Sequence, residues 1–124
     1  MTPKQCENLR RLLSPGNAVF IGGNDADFAA RQCAEAGFKG PIWGVSPRRE
    51  TMGGQPCFAM IEELPHPPDI VFLATPKSVA VEAVEALRKA DAGGVVCYTA
   101  GFGETGAEGA KLEAELIDAA GDMA

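Results

Sequence analysis

The sequence predicts an α/β fold: a doubly wound, mostly parallel, Rossmann-like sheet with helices on both faces. The first reason is a set of short, unbroken apolar runs, Ala18-Val19-Phe20-Ile21, Ile70-Val71-Phe72-Leu73-Ala74 and Val95-Val96-Cys97. Such runs lack the alternation of a strand that is wet on one face and suit strands covered on both. The second is spacing, because segments of helical periodicity separate the runs at intervals of about 25 residues, and strands joined through helices pair in parallel by right-handed crossovers. The third is composition: 15 glycines and 9 prolines punctuate 124 residues and only 6% are aromatic, so the core is aliphatic and the elements are short.

The same numbers narrow the function. A chain of this length makes a single domain, residues 1–124. Eleven basic against seventeen acidic residues leave a net charge of -6, the wrong sign for general attraction to nucleic acid. Cys6, Cys33, Cys57 and Cys97 form no CxxC pair, so they read as reduced thiols of a cytoplasmic protein rather than zinc ligands or a disulfide framework. The sequence has no apolar leader and no run of 18 apolar residues, so no membrane partner is expected.

In chain order, Pro3 to Leu13 opens as a helix. Thr2 is placed to cap it, Pro3 suits its first position, and Cys6, Leu9, Leu12 and Leu13 fall at helical spacing before Ser14-Pro15-Gly16 stops it. The Ala18–Ile21 strand ends abruptly at Gly22-Gly23-Asn24-Asp25. A helix follows in which Phe28, Ala29, Gln32, Cys33 and Ala36 lie three and four apart before Gly37 closes it. Pro41 to Val45 reads as the second strand. Beyond Ser46-Pro47-Arg48-Arg49, the glycine-rich stretch from Gly53 to Phe58 has room for one very short strand, and Ala59 to Leu64 for a helix of one or two turns, until Pro65-His66-Pro67-Pro68 breaks the chain. Asp69 to Thr75 is the clearest strand, and Thr75-Pro76 starts a helix with Ala80, Val81, Val84 and Leu87 on one apolar face. Gly93-Gly94 ends that helix, and Val95 to Thr99 forms a further strand. A last helix runs from about Ala107 to Ala120, with Leu112, Leu116, Ile117 and Ala120 on one face.

Ligands of an open parallel sheet bind beyond the carboxyl ends of its strands, where strand order reverses. Those ends are four loops: Gly22-Gly23-Asn24-Asp25, Ser46-Pro47-Arg48-Arg49, Thr75-Pro76-Lys77 and Thr99-Ala100-Gly101-Phe102. Hydroxyls and small residues that expose backbone N–H groups dominate them, a set suited to phosphate. The dinucleotide pattern G-x-G-x-x-G is absent, and where an NAD site carries an acid after its second strand this chain carries Arg48-Arg49. Guanidinium groups there suit a ribose-attached phosphate, either the 2′-phosphate of NADP or the 3′-phosphate of CoA. Asp25 and Asp27 read as helix-capping residues, and Trp43 and Tyr98 as sheet packing. His66, the only histidine, sits between two prolines with no nucleophile pattern beside it, so no catalytic residue is assigned and no metal site is expected.

Four blocks of the chain carry a resemblance: Leu12-Leu13-Ser14-Pro15 with Ala18 to Gly22; Gly37 to Ile42 with Val45-Ser46-Pro47-Arg48; Asp69-Ile70-Val71 to Thr75-Pro76; and Thr99 to Glu104. Together they resemble the N-terminal CoA-binding domain of NDP-forming acyl-CoA synthetases, including ADP-forming acetate-CoA ligases and, more distantly, the succinyl-CoA ligase alpha subunit. The resemblance implies that CoA lies across the strand ends against Gly22, Gly23, Asn24, Ser46, Pro47, Arg48, Thr75, Pro76, Thr99, Ala100 and Gly101, with Arg48 where the family usually carries lysine. It implies an N-terminal piece of an ADP-forming acid-CoA ligase, catalytically incomplete by itself and without the family's final strand. The missing ligase domains or a partner subunit would then carry the phosphohistidine and the nucleotide site. The first loop is shorter than the family's and carries Asp25 and Asp27. The residues alone leave two alternatives open: an NADP-binding domain of an oxidoreductase, and a non-enzymatic regulatory domain with a degenerate nucleotide site.

Overall fold

The structure, a computed structural model, describes residues 2–75, 77–97 and 114–123. Six strands form one sheet: β1 (Ala18–Gly22), β2 (Ile42–Val45), β3 (Thr51–Met52), β4 (Gln55–Phe58), β5 (Ile70–Ala74) and β6 (Gly94–Cys97), in the order β3-β4-β2-β1-β5-β6. All pairings are parallel except that of β3 with β4. The helices are α1 (Pro3–Leu13), α2 (Asn24–Glu35) and α3 (Lys77–Lys89), and residues 114–120 are helical as well. This is the expected doubly wound, Rossmann-like class.

Crossover handedness decides which helix covers which face. From β1 the chain moves through α2 to β2 on one side, whereas β5 leads through α3 to β6 on the other, so right-handed connections put α2 and α3 on opposite faces. On the α3 face, Val19, Ile21, Trp43, Val45, Val71 and Leu73 pack with Ala80, Val84, Leu87 and Ala119. On the α2 face, Ala18, Phe20, Ile42 and Met52 pack with Ala26 and Ala30. Val19 stands opposite both Trp43 and Val71, so each apolar layer continues across β2, β1 and β5. The buried large side chains contribute about 1.5–3 kcal/mol each, upper values for a real unfolded chain. The reversal of strand order opens a crevice between the carboxyl ends of β1 and β5.

Several expectations need correction. The stretch from Gly53 to Phe58 is half of a hairpin: β3 and β4 are joined by Gly53 and Gly54, both at positive φ (57° and 83°), the backbone a two-residue hairpin turn demands. The helix expected over Ala59 to Leu64 is a single 3-10 turn, Ile61–Glu63. In α2, Phe28 is 64% exposed because the completely buried Ala26 and Ala30 bring the helix close to the sheet on a different side. In residues 114–120, Ala119 is buried and Ile117 is exposed. Pro76, Tyr98, Thr99, Ala100 and Gly101, expected at the sheet and its loops, and Leu112, expected on the last helix, lie outside the described residues.

Helix α1 starts as expected, with Thr2 Oγ1 accepting from the Gln5 N–H and Gln5 Oε1 accepting from the Thr2 N–H, a reciprocal capping box. It docks through polar groups rather than its leucines, since Leu13 is largely exposed while Asn8 is buried and donates to Asp122 O at 3.0 Å. Arg11 donates to Asp69 Oδ1 (2.7 Å), Asn8 Oδ1 (3.1 Å), Pro68 O (3.1 Å) and Asp91 O (2.9 Å), joining the helix to the loops that feed β5 and β6. Among the described residues, no helix is long and apolar enough to cross a membrane.

Candidate functional site

The carboxyl ends of β1 and β5 meet at Gly22. Its φ is +144°, and a Cβ there would lie 2.5 Å from Ala74 O, so only glycine lets the two strand ends approach this closely. Helix α2 begins immediately afterwards. Gly23 is its N-cap residue with no side-chain capping bond, which leaves the first-turn N–H groups facing the strand ends. The expected capping by Asp25 and Asp27 therefore fails: Asp25 is exposed, and Asp27 turns toward the β3–β4 hairpin, its Oδ1 accepting from the Gly53 N–H at 2.7 Å.

The exit from β2 supplies the basic groups. The Ser46 N–H donates to Phe58 O at 2.9 Å, prolonging the β2–β4 pairing, and Pro47 and Arg48 are exposed beyond it. Arg49 folds back instead. Its Nη2 donates to Asn24 Oδ1 at 2.6 Å, and its Nη1 lies 3.4 Å from Asp27 Oδ1. Arg31 Nη2 lies 3.5 Å from the other Asp27 oxygen. The Gly53 N–H, and after it Arg31 and Arg49, hold the Asp27 carboxyl below the usual carboxylate range despite an opposing desolvation. Burial pushes the neighbouring Cys57 thiol up, against the Ser46 N–H and Arg49.

Of the residues expected to bind a cofactor, the structure joins Asn24 to the basic loop and sets Gly22 and Gly23 at the β1–α2 junction. Thr75 is half-buried at the exit of β5. The sequence offers Arg49 only as one of the Arg48-Arg49 pair and gives no binding role to Asp27 or Gly53, although Gly53-Gly54 between two short runs is a hairpin signal that brings this loop back to α2. His66 lies apart, its ring 6.1 Å from that of Trp43 in the core. Two grooves of about 400 and 440 Å³ are lined by the Ile61–Pro67 region with Ala86 and Lys89, and by Lys4, Asn8 and Asp91. Both lie at the amino end of the strands, away from the phosphate-suited loops.

A profile of the CoA binding domain matches residues 19–122. The chain belongs to the CoA-binding domain family. Its relatives include a trans-feruloyl-CoA synthase of an unknown prokaryotic organism, 33% identical over 115 residues that cover 89% of this chain and 16% of the relative. An ADP-forming acetate–CoA ligase I of Archaeoglobus fulgidus is 36% identical over 83 residues, covering 67% of this chain and 12% of the ligase. The CoA-binding domain thus spans less than a fifth of the curated relatives it matches. Its fold is similar to part of a dinucleotide-forming acetyl-coenzyme A synthetase 1 from Ca. Korarchaeum cryptofilum, with TM-score 0.82, 24% identity, and coverage of 93% of this chain and 26% of that one. Neither these relatives nor the matched family supports the NADP alternative.

Proposed function

We propose that this CoA-binding domain holds CoA across the carboxyl ends of β1, β2 and β5, as the ligand-binding portion of an ADP-forming acid-CoA ligase. The observation that carries the reading is the guanidinium of Arg49 fixed at the β2 exit against the first residue of α2, in a chain of this family. In a doubly wound sheet that is the position of the adenosine ribose, and an arginine there suits a ribose phosphate, the group that distinguishes CoA from ADP. Backbone N–H groups of Gly23 and the first turn of α2 face the pyrophosphate, Asn24 and Ser46 border it, and Pro47 and Arg48 form the outer rim. Thr75 borders the crevice at the β5 exit, and the family resemblance adds Pro76, Thr99, Ala100 and Gly101 as further contacts of CoA. Acyl activation and phosphoryl transfer belong to further domains or subunits, and the domain works in the cytoplasm.

A thermal-shift series with CoA, NADPH, NADH and ADP tests the reading. A ligand that binds only the folded state at 100 times its Kd raises stability by about 2.7 kcal/mol, a shift of several degrees. CoA alone is expected to give it. A shift with NADPH and none with CoA refutes the assignment.

A further inference from the structure

One charged cluster at the strand ends ties three elements together. Asp27 in the first turn of α2 takes the Gly53 N–H of the hairpin turn on the same Oδ1 that faces Arg49 Nη1, and its Oδ2 faces Arg31. Gly53 is pressed onto the helix backbone, where a Cβ would meet Arg31 N at 2.6 Å, so the turn and the carboxylate are fixed relative to each other. Arg49 is gripped from two sides, by Asp27 and by Asn24, while keeping 30% of its side chain open to solvent. Arg48 is exposed and takes part in no hydrogen bond or ion pair among the described residues.

A guanidinium has five N–H donors in a rigid fork, and the contacts to Asn24 and Asp27 leave several of them for a ligand. An arginine already held in place loses less conformational freedom on meeting a phosphate than one that must be ordered from solution. We propose that Arg49, rather than Arg48, reads the ribose phosphate, and that Asp27 is the positioning residue that holds it there and makes its placement depend on the docked β3–β4 hairpin. This rests on the CoA reading above. The negative charge of Asp27 costs the site little, because Arg31 shares it.

Calorimetry with CoA and dephospho-CoA, which differ by the ribose 3′-phosphate, tests it on the unmutated chain and on Asp27→Asn, Arg49→Gln, their double variant and Arg48→Gln. Asparagine still offers an oxygen to the Gly53 N–H, and thermal melts check that each variant folds. The unmutated chain is expected to prefer CoA at least tenfold, and Arg49→Gln to abolish the preference. Arg48→Gln weakens both ligands equally, as loss of a rim charge does. Asp27→Asn reduces the preference threefold or more when Arg49 is present and leaves it unchanged when Arg49 is already replaced. A carboxylate that merely repels the ligand does the opposite: Asp27→Asn then strengthens CoA binding with or without Arg49, and the proposal is overturned. Nitrogen-15 spectra of the arginine side chains without ligand provide a separate readout. Arg49 should show slowed guanidinium rotation that Asp27→Asn releases; identical spectra overturn the positioning role even if CoA binds. Failure of the unmutated chain to bind CoA defeats the CoA reading instead, and the spectra still decide whether Asp27 holds Arg49.

Discussion

Replacing Arg11 by methionine, which keeps much of the aliphatic bulk, removes four hydrogen bonds at once: those to Asp69, Asn8, Pro68 and Asp91. Asp69 then keeps only backbone donors to its carboxylate, the Gly16 N–H, 2.8 Å from its Oδ2, and the Asn17 N–H. The side chains of Arg11 and Asp69 are 17% and 21% exposed, so the pair is largely but not wholly withdrawn from water. Removing one partner of a fully buried pair costs about 3–5 kcal/mol, and the residual exposure argues for the lower end, about 3 kcal/mol. With an unfolding entropy of about 0.26 kcal/mol per degree for a domain of this size, the melting temperature should fall by about 10 °C at pH 7. The loss must also depend on pH. Burial raises the Asp69 pKa, but Arg11 and the N–H groups of Gly16 and Asn17 outweigh it, so the folded value lies below the ordinary 3.8. A carboxyl whose pKa is depressed by folding contributes stability that is complete above its unfolded pKa and disappears as pH falls through the folded one. The gap between the melts of the unmutated chain and Arg11→Met should therefore narrow as pH falls from 7 to 2.5 through the region below about pH 3.8, leaving the part due to the Asn8, Pro68 and Asp91 carbonyl contacts. A fall smaller than about 3 °C at pH 7, or a gap that stays constant to pH 2.5, refutes the view that this ion pair anchors α1.

Other outcomes follow from the backbone. Gly54→Asn should be close to neutral, since asparagine tolerates positive φ and nothing lies within 4 Å of its Cβ, whereas Gly53→Asn should lower the melting temperature markedly because its Cβ meets Arg31 N at 2.6 Å. Equal melts for the two variants would show that the hairpin turn is not pressed on α2. Gly22→Ala puts a methyl group 2.5 Å from Ala74 O at a φ of +144°, a backbone cost alone of about 1–3 kcal/mol. It should both destabilise the domain and impair CoA binding in calorimetry; unchanged affinity would remove the β1–β5 junction from the site. Thr2→Ala deletes the acceptor of the Gln5 N–H and should cost about 1 kcal/mol, read as faster hydrogen exchange in the first turn of α1.

What the residues disclose in advance is what local physics decides. The unbroken apolar runs at β1 and β5 mark strands buried on both faces, Gly37 at φ 91° follows α2 as a helix terminator, and Thr2-Pro3-Gln5 specifies a capped helix start. The docking of α1 is not local: the acceptors of Arg11 at Pro68, Asp69 and Asp91 come from distant loops, so spacing alone suggests a leucine face that solvent in fact reaches. Phe28 misleads for a similar reason, because a helix lying close to a sheet buries its alanines and leaves a large ring outside. At the site, strand ends and loops are legible from pattern. The choice between Arg48 and Arg49 is not, since it turns on where the hairpin brings Gly53.

The short first loop bears on the same choice. Two aspartates one turn into α2 look hostile to an anionic ligand when only the sequence is considered. Asp27, however, is turned to the hairpin, with its charge shared between Arg31 and Arg49, and the three side chains together carry one net positive charge at neutral pH. Asp25 remains exposed, where water and salt screen it. Helix α2 starts at Asn24, directly after the β1 exit, and with no side-chain cap its first-turn N–H groups point the positive end of the helix dipole at that exit. The acids in that first turn stabilise the helix whose N-terminus faces the β1 exit. If CoA lies there, Asp27, engaged by Gly53, Arg31 and Arg49, presents little unbalanced negative charge to its phosphates.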